Sequence, residues 1–202
     1  MKHLFRKGKD LNRVTFLLLH GTGGNEEDLL PIADMIDPDA NVLSVRGNVL
    51  EHGMPRFFRR IAEGVFDIED LIFRTKELYS FIQEKAEEYR FDPTQLVAIG
   101  YSNGANIAAS LLFHYEDALN GAILYHAMVP LRDIELPNLN QASIFIGAGK
   151  QDPLIPAAET EELITLLQSA HANVTAYWLD GGHQLTREEV EESKKWFSQT
   201  YK

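Results

Sequence analysis

Short apolar runs, bounded by turn-forming residues and separated by stretches of helical spacing, recur along this 202-residue chain at 14–20, 41–46, 96–100, 122–125, 143–147 and 174–179. Most are continuous rather than alternating in polarity, as parallel strands covered on both faces require. Between them, residues 68–89 put Ile68, Leu71, Ile72, Leu78, Tyr79, Ile82, Ala86 and Tyr89 on one helical stripe. Further helices are expected at 26–35, 103–114, 158–170 and 186–197, with a short edge strand over 2–6. Such alternation predicts an α/β fold, a mostly parallel doubly wound sheet with helices on both faces. Apolar content of 45% suits one packed domain over 1–202, and neither an internal repeat nor a Pro/Gly/Ser linker divides it.

The run Leu96-Val97-Ala98-Ile99 leads into Gly100-Tyr101-Ser102-Asn103-Gly104, followed by the small residues Ala105, Asn106, Ile107, Ala108 and Ala109. A Gly-x-Ser-x-Gly stretch between strand and helix makes a sharp turn with the serine hydroxyl facing outward; the flanking glycines avoid Cβ collisions. Ser102 is therefore the candidate nucleophile. A serine hydroxyl needs an imidazole base, and the base needs a carboxylate to orient it. Of the seven histidines, only His183 lies downstream in a glycine-rich loop just after a strand, in Leu179-Asp180-Gly181-Gly182-His183. Thr186 and Glu189 have capping-box spacing, and Leu185 and Val190 that of a hydrophobic staple, so a helix start should anchor this loop.

The expected acid is Asp152, in a loop after the fifth strand stiffened by Pro153 and Pro156. Asp180 is its competitor. His20-Gly21-Thr22-Gly23-Gly24 follows the first long strand, where the backbone N–H of Thr22 would join that of Asn103 as an oxyanion hole. His20 and His126, both at strand ends, are expected to hold loops by ring hydrogen bonds. The twenty-residue connection 48–67 is long enough to suggest a functional role. Its Met54, Phe57, Phe58, Val65 and Phe66 are candidates for an apolar wall of the substrate pocket, with core packing as the rival role.

Charge and composition narrow the partners. A net charge of −11 argues against nucleic acid and against anionic lipid surfaces. With no cysteine, there is no disulfide, thiolate nucleophile or cysteine-held metal, and no His-Glu-x-x-His spacing occurs. No cofactor and no metal are expected. Residues 14–19 are too short for a secretory apolar region, so a cytoplasmic location is the default, although a secreted chain stripped of its leader would look the same. No segment has the roughly twenty apolar residues of a membrane span.

With these residues assigned, the chain resembles the phospholipase/carboxylesterase family of α/β-hydrolases, most closely small bacterial hydrolases of the methylhydroquinone-resistance type. The resemblance rests on His20 to Leu29, Arg46-Gly47-Asn48, Phe66-Asp67, the Ser102 motif, the Asp152 loop and Gly182-His183. It implies an α/β-hydrolase fold without a separate lid domain, with the family's Ser, Asp and His at Ser102, Asp152 and His183. Two features depart from relatives: acyl-protein thioesterases have Gln and then Gly-Gly after the nucleophile, and dienelactone hydrolases use cysteine. The expected activity is hydrolysis of small or medium carboxylic esters through an acyl-enzyme. A thioesterase or lysophospholipase using the same machinery is the alternative, and a noncatalytic binding module the more distant one. The expected partner is a small-molecule ester, with the choice between monomer and homodimer open.

Overall fold

The computed structural model describes residues 1–201. Its strands are β1 (His3–Arg6), β2 (Thr15–Leu19), β3 (Asn41–Val45), β4 (Val49–Glu51), β5 (Met54–Arg56), β6 (Arg60–Ala62), β7 (Val65–Phe66), β8 (Leu96–Tyr101), β9 (Gly121–Tyr125), β10 (Ser143–Gly149) and β11 (Asn173–Leu179). Its helices are α1 (Leu30–Ile36), α2 (Ile68–Tyr89), α3 (Asn103–His114), α4 (Ala157–Ser169) and α5 (Arg187–Thr200), with a 3-10 turn at Pro93–Gln95.

Seven strands form one sheet in the order β1-β3-β2-β8-β9-β10-β11. β1 runs antiparallel to β3, and every other neighbouring pair is parallel. Side chains alternate across the sheet, so a strand covered on both faces must be apolar throughout. Thus Phe16 and Leu18 of β2 pack with Ala33 and Ile36 of α1 and with Val190, Trp196 and Phe197 of α5. Leu17 and Leu19 face the opposite core, with Leu71, Leu78 and Ile82 of α2, Ile107 and Leu111 of α3, and Leu163 and Leu167 of α4. The result is an α/β-hydrolase fold with helices on both faces and no inserted lid.

One expectation is corrected. Residues 26–29 are turns, and α1 begins only at Leu30, because Pro31 suits the first helical turn and the Asp28 carboxylate accepts the Asn25 N–H, favouring a turn before it. The connection 48–67 folds as two small hairpins, β4–β5 and β6–β7. At the start of α2, Asp67 caps the helix by accepting the Asp70 N–H at 3.1 Å.

Chain order runs outward from β2 in both directions, to β3 on one side and to β8 on the other. Clefts in open α/β sheets form at such a reversal, beyond the carboxyl ends of the strands. Here α3 presses directly on β2: a Cβ at Gly104 would lie 1.9 Å from the Leu19 carbonyl oxygen, and one at Gly100 would lie 2.7 Å from Ala105 Cα. Gly104→Ala should therefore destabilise the protein by about 1–3 kcal/mol through overpacking. The expected readout is a thermal midpoint lowered by roughly 2–4 °C per kcal/mol.

Candidate active site

Ser102 stands between β8 and α3 with φ 51 and ψ −112, a strained backbone for a residue with a side chain. The backbone holds it there: Ser102 N–H donates to the Tyr125 carbonyl at 2.9 Å, and the Ser102 carbonyl accepts the Asn106 N–H of α3 at 2.9 Å. Its hydroxyl is 3.0 Å from His183 Nε2. His183 Nδ1 is 2.7 Å from Asp152 Oδ2, so hydroxyl, imidazole and carboxylate lie in one hydrogen-bonded series.

Each member is anchored from behind. Asp152 Oδ1 accepts the Leu154 and Ile155 N–H groups at 2.8 and 3.1 Å, a turn made by the proline-stiffened loop after β10. Burial pushes the Asp152 carboxyl up, but the His183 hydrogen bond and these two N–H donors outweigh it and hold the group below the usual carboxylate range. The Tyr101 hydroxyl donates to the His183 carbonyl at 2.8 Å. On the far side of His183, Thr186 and Glu189 form the full capping box at the start of α5, and Val190 is buried with Leu185 against it. Asp180 points elsewhere, exposed and paired with Lys150 at 2.9 Å.

Thr22 and Asn103 flank the serine. Among the described residues, neither of their backbone N–H groups donates to a protein backbone acceptor. His20 holds its loop as expected: Gly47 N–H donates to Nε2 at 3.0 Å, which leaves the proton on Nδ1 to bond the Gly21 carbonyl. His126 does more than hold a loop, because its Nδ1 lies 3.1 Å from the same Asp152 Oδ2 that His183 reaches. His126, Asp152 and His183 also offer ligand-type atoms within 4.8 Å of one another. One carboxylate oxygen shared by two imidazoles accounts for that convergence.

Next to Ser102 is a small cleft of about 60 Å³, lined by Thr22, Asn103, Arg56, Arg60, Phe66 and Met128 among others. Of the five expected wall residues, only Phe66 reaches it. Phe57 and Phe58 are buried in the core, where Phe58 packs edge-on against Phe66 and Phe57 packs against His20. Met54 packs near Gly23, and Val65 lines a neighbouring apolar groove together with Phe66 and Met128. The polar part of the cleft was missed in the sequence, although Arg56, Arg59 and Arg60 stand out there as charges inside an apolar segment. Buried Arg56 joins the hairpins to the glycine loop, donating from Nη1 to Thr22 Oγ1 at 2.6 Å and from Nε to the Phe58 carbonyl at 3.2 Å. Phe57 N–H in turn donates to Asn103 Oδ1 at 2.8 Å, tying the hairpins to the residue after the serine.

The model of the dienelactone hydrolase family matches residues 70–197, a span containing Ser102, Asp152 and His183. This chain belongs to the dienelactone hydrolase family. It is 57% identical over 199 residues to the MhqD protein of Bacillus subtilis (strain 168), covering 98% of each chain. A Bacillus cereus carboxylesterase structure superposes with a TM-score of 0.98 at 64% identity, covering 100% of this chain and 95% of that one. The structure of YahD with malic acid gives a TM-score of 0.94 at 32% identity, covering 98% of each. The turn between β8 and α3 carries a serine, in a chain without cysteine. None of the helices among the described residues is long and apolar enough to cross a membrane.

The burial pattern separates packing residues from surface ones. Phe58→Ala should cost about 3–5 kcal/mol through cavity formation. Val65→Ala, at a side chain 50% exposed, should stay within about 0.5 kcal/mol of wild type. Urea unfolding of both variants checks the contrast.

Proposed function

We propose that this member of the dienelactone hydrolase family is a serine hydrolase that cleaves small or medium carboxylic esters through an acyl-enzyme. The observation carrying this reading is the series from Ser102 Oγ to His183 Nε2 at 3.0 Å and from His183 Nδ1 to Asp152 Oδ2 at 2.7 Å, beside an open cleft. Ser102 Oγ attacks the ester carbonyl carbon while His183 takes its proton at Nε2. The carbonyl oxygen gains negative charge, which the Thr22 and Asn103 N–H groups stabilise. Collapse of the tetrahedral adduct expels the alcohol, which takes the proton from His183 and leaves an acylated Ser102. Water then repeats the sequence against the acyl group, restoring the serine and releasing the acid. Asp152 keeps Nδ1 protonated and stabilises the imidazolium formed in each half-reaction.

The small cleft supports the choice of small or medium esters, since Arg56, Arg60 and Glu63 bring charge close to Ser102. A thioesterase or lysophospholipase is the competing reading, and the apolar groove running from Phe66 and Met128 along Val129 to Leu131 favours it as a path for a longer acyl chain.

Ser102→Ala and His183→Ala should each lower kcat/KM on a short-chain aryl ester by several orders of magnitude with the fold intact, because residues acting as a unit lose most of the rate singly. Asp152→Asn should also be severe and Asp180→Asn near wild type; the reverse order would move the acid role to Asp180. A short-chain aryl ester should be turned over faster than a long-chain acyl thioester. Incubation with EDTA should leave the rate unchanged, whereas loss of activity and its return with a divalent metal would assign the His126, Asp152 and His183 cluster to an ion.

A further inference from the structure

The serine series uses one imidazole, yet a second one touches the same carboxylate. His126 follows β9 in left-handed backbone geometry, φ 54, held by its N–H bond to the Gly147 carbonyl at 2.8 Å. Its side chain is fully enclosed, with Nδ1 3.1 Å from Asp152 Oδ2 and Nε2 3.1 Å from Glu189 Oε1. Those two carboxylate side chains are only 2% and 0% exposed. Glu189 Oε2 is occupied by the Thr186 N–H and hydroxyl at 2.9 and 2.8 Å, so the oxygen facing the ring is the remaining one. His126 Nε2 and Glu189 Oε1 form no aligned hydrogen bond, although they lie 3.1 Å apart.

Two buried carboxylates bear on the protonation of this ring. A neutral imidazole has one N–H, so with Nδ1–H given to Asp152 the bare Nε2 would stand 3.1 Å from the Glu189 carboxylate, leaving two buried carboxylates with no positive charge between them. One further proton on the ring supplies that charge. Thr186 and the start of α5 stabilise Glu189 as an anion, which favours the ring over the carboxylate as the place of the proton. Burial alone would pull His126 down, but the Glu189 and Asp152 carboxylates outweigh it and hold the ring above the ordinary imidazole range. Burial likewise pushes Glu189 up, and His126 and Thr186 bring it below the usual range.

We propose that His126 and Glu189 are positioning residues of this site: an imidazolium at His126, clamped between two buried carboxylates, fixes Asp152 from behind and cancels one of the two negative charges that would otherwise bear on His183. This rests on the reading of Ser102, His183 and Asp152 as the reacting series. The other titratable groups facing His126 leave its charge to the carboxylates. From β8, Tyr101 presents its ring edge-on at 6.0 Å, with a phenol that burial keeps protonated. Tyr125 precedes it in the chain, its hydroxyl engaged with Ser193, and the His183 ring lies 5.2 Å away. The space for the pair is built in as well: a Cβ at Gly147 would come within 3.2 Å of Glu189 Oε1.

The test combines a spectrum with a pH profile. In full-length protein with ¹⁵N-labelled histidine, His126 should show both ring nitrogens protonated at pH 7.5, while a single protonated nitrogen would overturn the proposal. His126→Asn leaves Glu189 and Asp152 uncompensated beside His183, which favours the protonated, inactive base. The acid limb of kcat/KM should then move to higher pH by about one unit, a roughly tenfold loss on that limb. Adding Glu189→Gln to that variant removes one negative charge and should move the limb back toward wild type. A folded His126→Asn variant with an unmoved limb would reject the electrostatic role, and if that variant does not fold, the wild-type spectrum decides alone. Full activity of Ser102→Ala would instead defeat the catalytic reading while leaving the His126 spectrum unaffected, so the two failures are distinguishable.

Discussion

The contact between Gly104 and the Leu19 carbonyl governs the centre of this molecule. It lets the first turn of α3 sit on the end of β2, at the point where the sheet is extended in both directions. A side chain there would lift the helix away, and Ser102 would lose the backbone bonds to Tyr125 and Asn106 that hold it at positive φ. Strained backbone survives only where its surroundings overdetermine it. Here the determinants are a buried strand, a glycine on either side and a helix packed into the core.

Around that point the site is a buried arrangement of charge. Asp152, His126 and Glu189 are removed from water, where unpaired charges are costly, so each has hydrogen-bond donors or an opposite charge beside it. Glu189 has two jobs: one oxygen closes the capping box that starts α5, and the other faces His126. The start of the last helix and the surroundings of the Asp152 carboxylate thereby share one side chain. Tyr101 adds a second tie by holding the His183 carbonyl from the strand that carries the serine.

The two hairpins between β3 and α2 take the position of a wall but are built as structure. Gly47 has no room for a Cβ against the Arg56 backbone, Gly23 N–H bonds the Pro55 carbonyl, and Arg56 reaches Thr22. Their phenylalanines are divided by role: Phe57 and Phe58 go into the core, and Phe66 reaches the cleft. The surface offered beside Ser102 therefore mixes guanidinium groups with Phe66, Met128, Leu154 and Ile155.

Local pattern determined much of this in the sequence alone. Continuous apolar runs disclosed strands covered on both faces, and both α2 and α3 begin and end where their spacing indicated. The glycine spacing around Ser102, the loop carrying His183 and the Thr186–Glu189 cap were legible because each is a short-range constraint, written within a few residues. The hairpins were not, since strands of two or three residues carry too little periodicity to be seen. Nor could the sequence divide neighbouring phenylalanines between core and cleft, or join His126 to Asp152 and Glu189. Those depend on residues from β9, the loop after β10 and α5 meeting in space, where burial raises the strength of every charge interaction. Only the tertiary structure brings three such distant segments together at one imidazole ring.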